Sequence, residues 1–294
     1  MNHSQIHRFI TTDGSARLIF ADTTEIVNEA IRIHSPSPTA TAALGRALTA
    51  TSIMGCLMKN PTDSLTLRIK GDGPIGTITC VSDYSGNVRG YVDNPHVDVP
   101  RRADGKLAVG DAVGNGTLYV IRDIGAGEPY VGMCELVSGE IAEDITAYFA
   151  QSEQTPSVCA LGVLVAKDGT CLCSGGFIIQ LLPGTWEETV DAIENNVSMF
   201  TSVTNLMKNG KAAEDFAKIL FANIEYEEFD SIEISFLCNC SKEKYAKGII
   251  SLGYDEIKEM IDEGHSIQTQ CTFCRSIYPF EVDELRELIK KTSK

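Results

Sequence analysis

Four cysteines near one end of the chain are the residues best placed to do chemistry. Cys238 and Cys240 are spaced C-x-C, and Cys271 and Cys274 are spaced C-x-x-C. Four thiolates are a complete ligand set for zinc, which takes sulfur donors and closes its structural sites at four. The C-x-x-C half has the usual knuckle spacing. The C-x-C half is tighter, because residues i and i+2 reach one metal only from a turn or a strand end. Cys238 and Cys240 could also bond to each other, but so small a ring is strained, and strained disulfides are the labile, regulatory ones. Spacing alone leaves two readings open: a structural zinc staple, or a zinc-masked redox switch.

The rest of the composition narrows the setting. A chain of 294 residues can bury a substantial core and form two domains. No apolar run approaches the about 18 residues of a membrane span. Met1–Gln5 is not followed by the apolar core of a signal peptide. With ten cysteines, this predicts a cytoplasmic protein whose thiols are free or metal-bound. The net charge of −15 argues against nucleic acid, which needs a basic surface. Residues 231–294 carry 9 basic and 11 acidic side chains, so most of the acidity lies in the first 230 residues. A strongly acidic surface keeps a protein soluble, which suits one that must carry sticky surface.

The elements that must position the cysteines follow from periodicity. Residues 6–33 read as strands and a turn, with Thr12-Asp13-Gly14-Ser15 the turn. Pro38 opens a long helix running to about Lys59, in which Gly45 and Gly55 predict close packing. Residues 65–99 alternate as strands. Within them Gly71-Asp72-Gly73-Pro74-Ile75-Gly76 matches G-x-G-x-x-G, but strand rather than helix follows it, so a hairpin turn is expected and not a dinucleotide site. No Walker A lysine motif occurs, so nothing indicates ATP use. Residues 117–121 and 130–137 form another predicted hairpin. Residues 139–149 read as a short helix, and 158–166 and 171–182 as strands. The expected class is α+β, built on antiparallel strands with packed helices.

From Gly184 the character changes. Thr185 and Glu188 fit a capping box, and helices are expected through Phe221 with a break at Asn209-Gly210. These helices either cover the sheet or form a clamp that can detach. Residues 232–237 read as a short strand into the first cysteine pair, and small helices follow. The expected organisation is an α+β domain over 1–183, a helical linker over 184–230 and a four-cysteine zinc module over 231–294. So small a module needs its metal to stay folded.

The cysteine pattern, with Tyr278-Pro279-Phe280 after it, resembles the zinc module of the heat shock protein 33 family of redox-regulated bacterial holdase chaperones. Leu44-Gly45-Arg46, Gly71-Asp72-Gly73-Pro74, Tyr148-Phe149 with Ser152-Glu153-Gln154, and Ser174-Gly175-Gly176-Phe177 with Gln180 also resemble family motifs, in the expected order. The likeness spans essentially the whole chain. It implies a non-enzymatic, ATP-independent stress-response chaperone that prevents aggregation of unfolding proteins during heat and oxidative stress. One zinc per chain would sit on Cys238, Cys240, Cys271 and Cys274 in the reduced, inactive form. Oxidation would form disulfides Cys238–Cys240 and Cys271–Cys274, release zinc and unfold the module and linker. Clients would be unfolded or misfolded proteins, with the active form a homodimer that binds neither nucleic acid nor membrane.

One departure stands out. Cys171-Leu172-Cys173 is a second C-x-C, outside the family's zinc motif. On a regular strand its thiols would point the same way, as a half-site might require, but no C-x-x-C partner exists. These two, with Cys56, Cys80, Cys134 and Cys159, are expected to be buried bystanders. His3, His7, His34, His96 and His265 form no metal spacing. Two other classes compete: a thiol–disulfide oxidoreductase using Cys271 and Cys274, which here lack a thioredoxin-like context, and a zinc-stabilised transcription or translation factor, which the acidity disfavours.

Overall fold

The run Leu18-Ile19-Phe20-Ala21 is apolar at consecutive positions, which suits a strand covered on both faces. In the computed structural model, which describes residues 3–125 and 127–292, its strand is the middle one of a five-stranded sheet. Met1 and Asn2, at the start of the stretch expected to hold no signal peptide, lie outside the described residues.

In chain order the elements are β1 (Gln5–Thr11), β2 (Ala16–Asp22), α1 (Thr24–His34), α2 (Pro38–Gly55), β3 (Ser64–Gly71), β4 (Thr77–Asp83), β5 (Val88–Val92), α3 (Val109–Val113), β6 (Gly116–Asp123), β7 (Tyr130–Glu135) and α4 (Ala142–Gln151). Then come β8 (Ser157–Val165), β9 (Cys171–Leu181), α5 (Glu187–Ser198), α6 (Val203–Lys208), α7 (Ala213–Leu220), β10 (Tyr226–Glu233), α8 (Lys242–Leu252), α9 (Tyr254–Asp262), β11 (Ile267–Gln270), β12 (Ile277–Phe280) and α10 (Val282–Ile289). The chain divides into two compact units after Leu237. The fold is α+β with antiparallel sheets, as expected. One sheet has the order β10-β1-β2-β9-β8, a second β5-β4-β3-β6-β7, and β11 pairs with β12 in a hairpin of the second unit.

Helix α2 is the shared centre of the first unit. It packs on β2, β8 and β9 of one sheet and on β3, β4 and β5 of the other. A helix enclosed this way must be apolar or small all round, and every residue but Pro38 and Arg46 is buried. Its buried hydroxyls bond within reach: Thr49 Oγ1 donates to Gly45 O at 2.8 Å, and Ser52 Oγ to Gly86 O at 2.5 Å. The two glycines are where the packing is tightest. A Cβ on Gly45 would lie 2.8 Å from Val163, and one on Gly55 2.2 Å from Ser82 Oγ. The helix stops at Gly55, short of the expected Lys59. Residues 24–34, expected as strand, form α1, burying Ile26, Val27 and Ala30 on one face.

The G-x-G-x-x-G stretch is a hairpin turn between β3 and β4, as expected. Its amides are already committed: Gly73 N donates to Val113 O at 2.9 Å and Ile75 N to Ala112 O at 3.1 Å. A Cβ at Gly73 would sit 2.3 Å from Ala112 O, so the glycine serves backbone docking, not a phosphate.

The other face of the first sheet is covered by α5, α6 and α7. Phe9, Leu18, Phe20, Phe177 and Ile179 meet Ile193, Val203, Phe216 and Leu220 in a second buried cluster. Phe216 lies 4.4 Å from Phe20 between ring centroids. The capping box expected at Thr185 is absent. The N-cap is Trp186, and Thr185 Oγ1 instead donates to Ser15 O and Leu182 O, each at 2.6 Å.

Strand β10 follows, and it crosses the 230/231 boundary expected from sequence. It pairs antiparallel with β1. His7 Nδ1 lies 2.7 Å from Glu228 Oε1, and the Arg8 guanidinium forms a two-pronged pair with Asp230. Where a strand was expected up to Leu237, the chain is instead clipped to the β4–β5 turn. Val88 N donates to Ser235 O and Leu237 N to Val88 O, each at 3.0 Å. Asn87 Oδ1 accepts from Ser235 N at 3.1 Å. The first metal-type cysteine comes one residue later.

Asp144 supports the start of α4. Its buried carboxylate accepts the N–H groups of Val137 at 2.7 Å, Ser138 at 3.1 Å, Gly139 at 3.3 Å and Ile141 at 2.8 Å. Ile141 is buried at φ 75°, a costly conformation for a β-branched residue. Asp144→Ala would orphan these donors and release the strained turn, so we expect a loss of about 3 kcal/mol or more. Denaturant titration of the reduced protein checks this, and an unchanged midpoint would refute it.

Candidate metal centre

The second unit is small. Ile249, Ile257, Phe280, Leu285 and Leu288 form its buried core. Around that core two short segments bring the cysteines together. Cys238-Asn239-Cys240 is extended chain ending at Ser241, whose Oγ accepts from Lys244 N at 3.3 Å to cap α8. Lys244 Nζ reaches back to Asn239 O at 2.6 Å and braces the short C-x-C loop. Cys271 and Cys274 sit in the turn of the β11–β12 hairpin. There Arg275 N donates to Cys271 O at 2.8 Å and Cys271 N to Ser276 O at 2.9 Å. Arg275 takes φ 61°, the left-handed conformation that closes so tight a knuckle.

The four sulfurs lie within 4.8 Å of one another. Cys238 Sγ is 3.7 Å from Cys271 Sγ, and Cys240 Sγ is 3.3 Å from Cys274 Sγ. A tetrahedral centre with Zn–S near 2.3 Å sets its sulfurs roughly 3.8 Å apart. The donor set and the spacing therefore fit a four-coordinate thiophilic metal. All ten cysteines are free thiols, so the arrangement is the reduced one.

Electrostatics point the same way. Burial and the neighbouring thiols push Cys238 well up, and burial also raises Cys240. Burial opposes ionisation of Cys274 too, but hydrogen bonds from Ser276 and the nearby thiols outweigh it and bring Cys274 down to about 6. Tyr278 Oη lies 3.0 Å from Cys240 Sγ, and that hydrogen bond pushes the phenol up to about 12. Sequence reasoning quoted Tyr278 within a motif but gave it no role.

The other six thiols behave differently. Burial pushes Cys56 and Cys171 up to about 12 and Cys134 to about 11, and Cys80, Cys159 and Cys173 also rise. They are small apolar groups in the core, as expected. The second C-x-C is not a half-site. Leu164 pairs with Cys173 but Val165 with Cys171, so Leu172 is a bulge. A bulge resets the alternation, sending the two thiols to opposite faces. Cys171 joins the α2 core, while Cys173 Sγ lies 3.7 Å from Thr204 O near α6. Among the described residues, the four C-terminal cysteines alone form a metal-type group, and no histidine joins them. No described helix is long and apolar enough to cross a membrane.

Comparison with known proteins agrees with this geometry. The family model described as "Hsp33 protein" matches residues 4–281, a span that includes all four cysteines. A 33 kDa chaperonin of Clostridioides difficile (strain 630) is 47% identical over 285 residues, covering 97% of this chain and 98% of that protein. A 33 kDa chaperonin of Bacillus licheniformis is 46% identical over 280 residues, covering 95% and 96%. The crystal structure of the 33 kDa chaperonin (heat shock protein 33 homolog) from Thermotoga maritima superposes with TM-score 0.89 at 36% identity, covering 99% of each chain.

Proposed function

Because the chain belongs to the Hsp33 family, a family of chaperonins, we propose that it is a redox-switched, ATP-independent holdase held inactive by zinc on Cys238, Cys240, Cys271 and Cys274. The observation that carries this is the clustering of four free sulfurs within 4.8 Å of one another in a module with a minimal core. Bound zinc would keep the four sulfurs as thiolates and contribute folding free energy to residues 238–294.

The chain's own residues supply the switch. A thiolate of the Cys271–Cys274 pair attacks one oxygen of hydrogen peroxide, expelling hydroxide and forming a sulfenic acid. The second thiolate displaces the sulfenic oxygen, also as hydroxide, and closes the disulfide. The pair gives up two electrons per peroxide, and protons from solvent turn both hydroxides into water. Two sulfurs are then left for the metal, too few to keep the module folded. Although Cys240 Sγ lies 3.3 Å from Cys274 Sγ, a loosened chain favours the smallest rings. That supports Cys271–Cys274 and then Cys238–Cys240 as the final pairs.

The loss of order passes to residues 184–230. On this reading α5–α7 form the detachable linker between a chaperone domain over 1–183 and the switch, although β10 ties the end of that region to the first sheet. Their departure bares Phe9, Phe20 and Phe177 to unfolding clients. The active form is a homodimer in the cytoplasm that binds neither nucleic acid nor membrane. The competing reading, a thiol–disulfide oxidoreductase, takes support from the lowered Cys274 thiol. Its cysteines, however, lie in a hairpin turn, not at a helix start in a βαβ unit.

Light scattering of a denatured client tests the proposal. Peroxide-treated protein should suppress aggregation at stoichiometric amounts, and reduced protein should not. Equal suppression by both forms would remove the redox switch. Insulin reduction without client protection would make the protein an oxidoreductase.

A further inference from the structure

Helices α2 and α4 pack on one face of the second sheet, β5-β4-β3-β6-β7. Leu65, Leu67, Ile69, Leu118, Val120 and Cys134 point that way and join the core. The residues between them point to the other face. On β3, β6 and β7 none of these alternate residues belongs to a buried cluster. Two strands of this open face are apolar. Tyr119 stands opposite Met133, and Ile121 opposite Val131, in the β6–β7 register. Val131 is 53% exposed and Met133 62%, so the patch faces solvent. Single exposed apolar residues are ordinary, but two adjacent cross-strand pairs make a contiguous patch, and such patches mark interaction sites.

Strand β3, beside β6, carries the opposite chemistry. Arg68 pairs with Tyr119 and Lys70 with Thr117, and both cations are exposed. They project from one strand about 7 Å apart. Among the described residues neither forms an ion pair. The acids of this part of the face do not serve them. Asp123 Oδ1 accepts from Gly125 N at 2.9 Å, and Glu135, opposite Thr117, lies two strands from Lys70, roughly 10 Å away. Two unmatched cations on a chain of net charge −15 set the sign of a partner. Shape sets its form. Strands β3, β6 and β7 have eight, eight and six residues, which gives a platform roughly 20–27 Å long and about 10 Å across. A helix of about 15 residues is about 22 Å long and about 10 Å wide. Acids three or four residues apart on its flank stand about 5–6 Å from each other, close to the spacing of Arg68 and Lys70. We propose that this face binds an amphipathic helix of another protein, its apolar side on Tyr119, Ile121, Val131 and Met133 and an acidic flank over Arg68 and Lys70. The face is open with the thiols reduced, so binding requires neither oxidation nor metal release. It is also separate from the surface beneath α5–α7.

The test uses the reduced full-length protein and two fluorescein-labelled synthetic helices of about 16 residues, each with leucine along one face. One helix carries glutamate on a flank, and the other carries lysine at the same positions. Fluorescence anisotropy reads affinity for the wild type, for the double variant Arg68→Glu, Lys70→Glu, and for Met133→Ser. All three substitutions fall on exposed side chains, and circular dichroism checks that the fold is kept. The wild type should bind one glutamate helix per chain and the lysine helix at least about tenfold more weakly. The double variant should invert that preference, and Met133→Ser should weaken binding of the glutamate helix by about fivefold. Absence of saturable binding of the glutamate helix overturns the proposal. Equal affinity of that helix for wild type and double variant also overturns it, and places binding elsewhere, such as the open edge of β7. Tighter binding of a single-stranded RNA oligonucleotide, lost in the double variant, makes the face a nucleic-acid site instead. A reduced wild type that sediments as a dimer, and as a monomer after Met133→Ser, gives the face to a second copy of this chain. Each reading is made without oxidant, so failure of the redox switch leaves the result standing.

Discussion

Removing zinc from the reduced protein with a chelator should unfold residues 238–294 and leave the two five-stranded sheets intact. The second unit's core is a handful of side chains on short elements. A domain of that size does not bury enough apolar surface to fold alone. Structural zinc supplies about 10–16 kcal/mol of apparent folding free energy in comparable modules, more than the rest of such a unit could replace. By contrast, α2 and both sheets share a core with no metal-type group among the described residues. Hydrogen exchange is the measurement: amides of β11 and β12 should lose protection, while those of β2, β3 and β9 keep theirs. Acid should act in the same direction, because ligands must lose protons to bind and affinity falls as pH falls. A module that stays protected after confirmed metal loss would defeat the idea of a zinc-dependent fold.

Phe216→Ala should make the reduced protein protect clients without any oxidant. Phe216 is fully buried and touches Phe20, Phe177 and Phe200, with ring centroids 4.4, 6.4 and 5.9 Å away. It is the main apolar anchor of α7 on the sheet. Truncating so large a buried ring costs about 3–5 kcal/mol. That loss falls on short helices, since α6 has six residues and α7 eight. The helices should therefore open while the cysteines still hold zinc. Client light scattering with the reduced variant, zinc content measured beside it, reads the result. Rapid exchange over residues 187–220 without any client protection would show that the sheet face under the helices is not the binding surface.

Much of this was legible from residue spacing. The cysteines were readable because ligand geometry restricts which spacings can meet one metal. Strands β3 to β5 were readable from alternation, and the G-x-G-x-x-G turn from the strand that follows it. Other features depend on contacts distant in the chain. Helix α1 was hidden by its Ile and Val residues, whose strand preference yields to a buried helical face. Thr185 looked like a cap, but Ser15 O and Leu182 O attract its hydroxyl. The bulge at Leu172 shows only in the pairing with β8. The tie from Tyr278 to Cys240 requires the hairpin register to be known. Strand β10 was the largest omission. Glu225, Glu227, Glu228, Asp230 and Glu233 make it read as connector, yet pairing with β1, the Arg8–Asp230 ion pair and the His7–Glu228 hydrogen bond make it a strand.

That acidic strand also decides what β1 is. While β10 is in place, β1 is interior, and the sheet ends in a border of negative charge that discourages other strands from adding. Take β10 away, and the backbone N–H and C=O groups along Gln5–Thr11 that faced it lose their partners. An extended segment of an unfolding protein could supply replacements by joining the sheet as its next strand. Backbone pairing is indifferent to side chains. A chaperone with such a concealed border would recognise clients by their conformation, extended and unpaired, whatever their sequence.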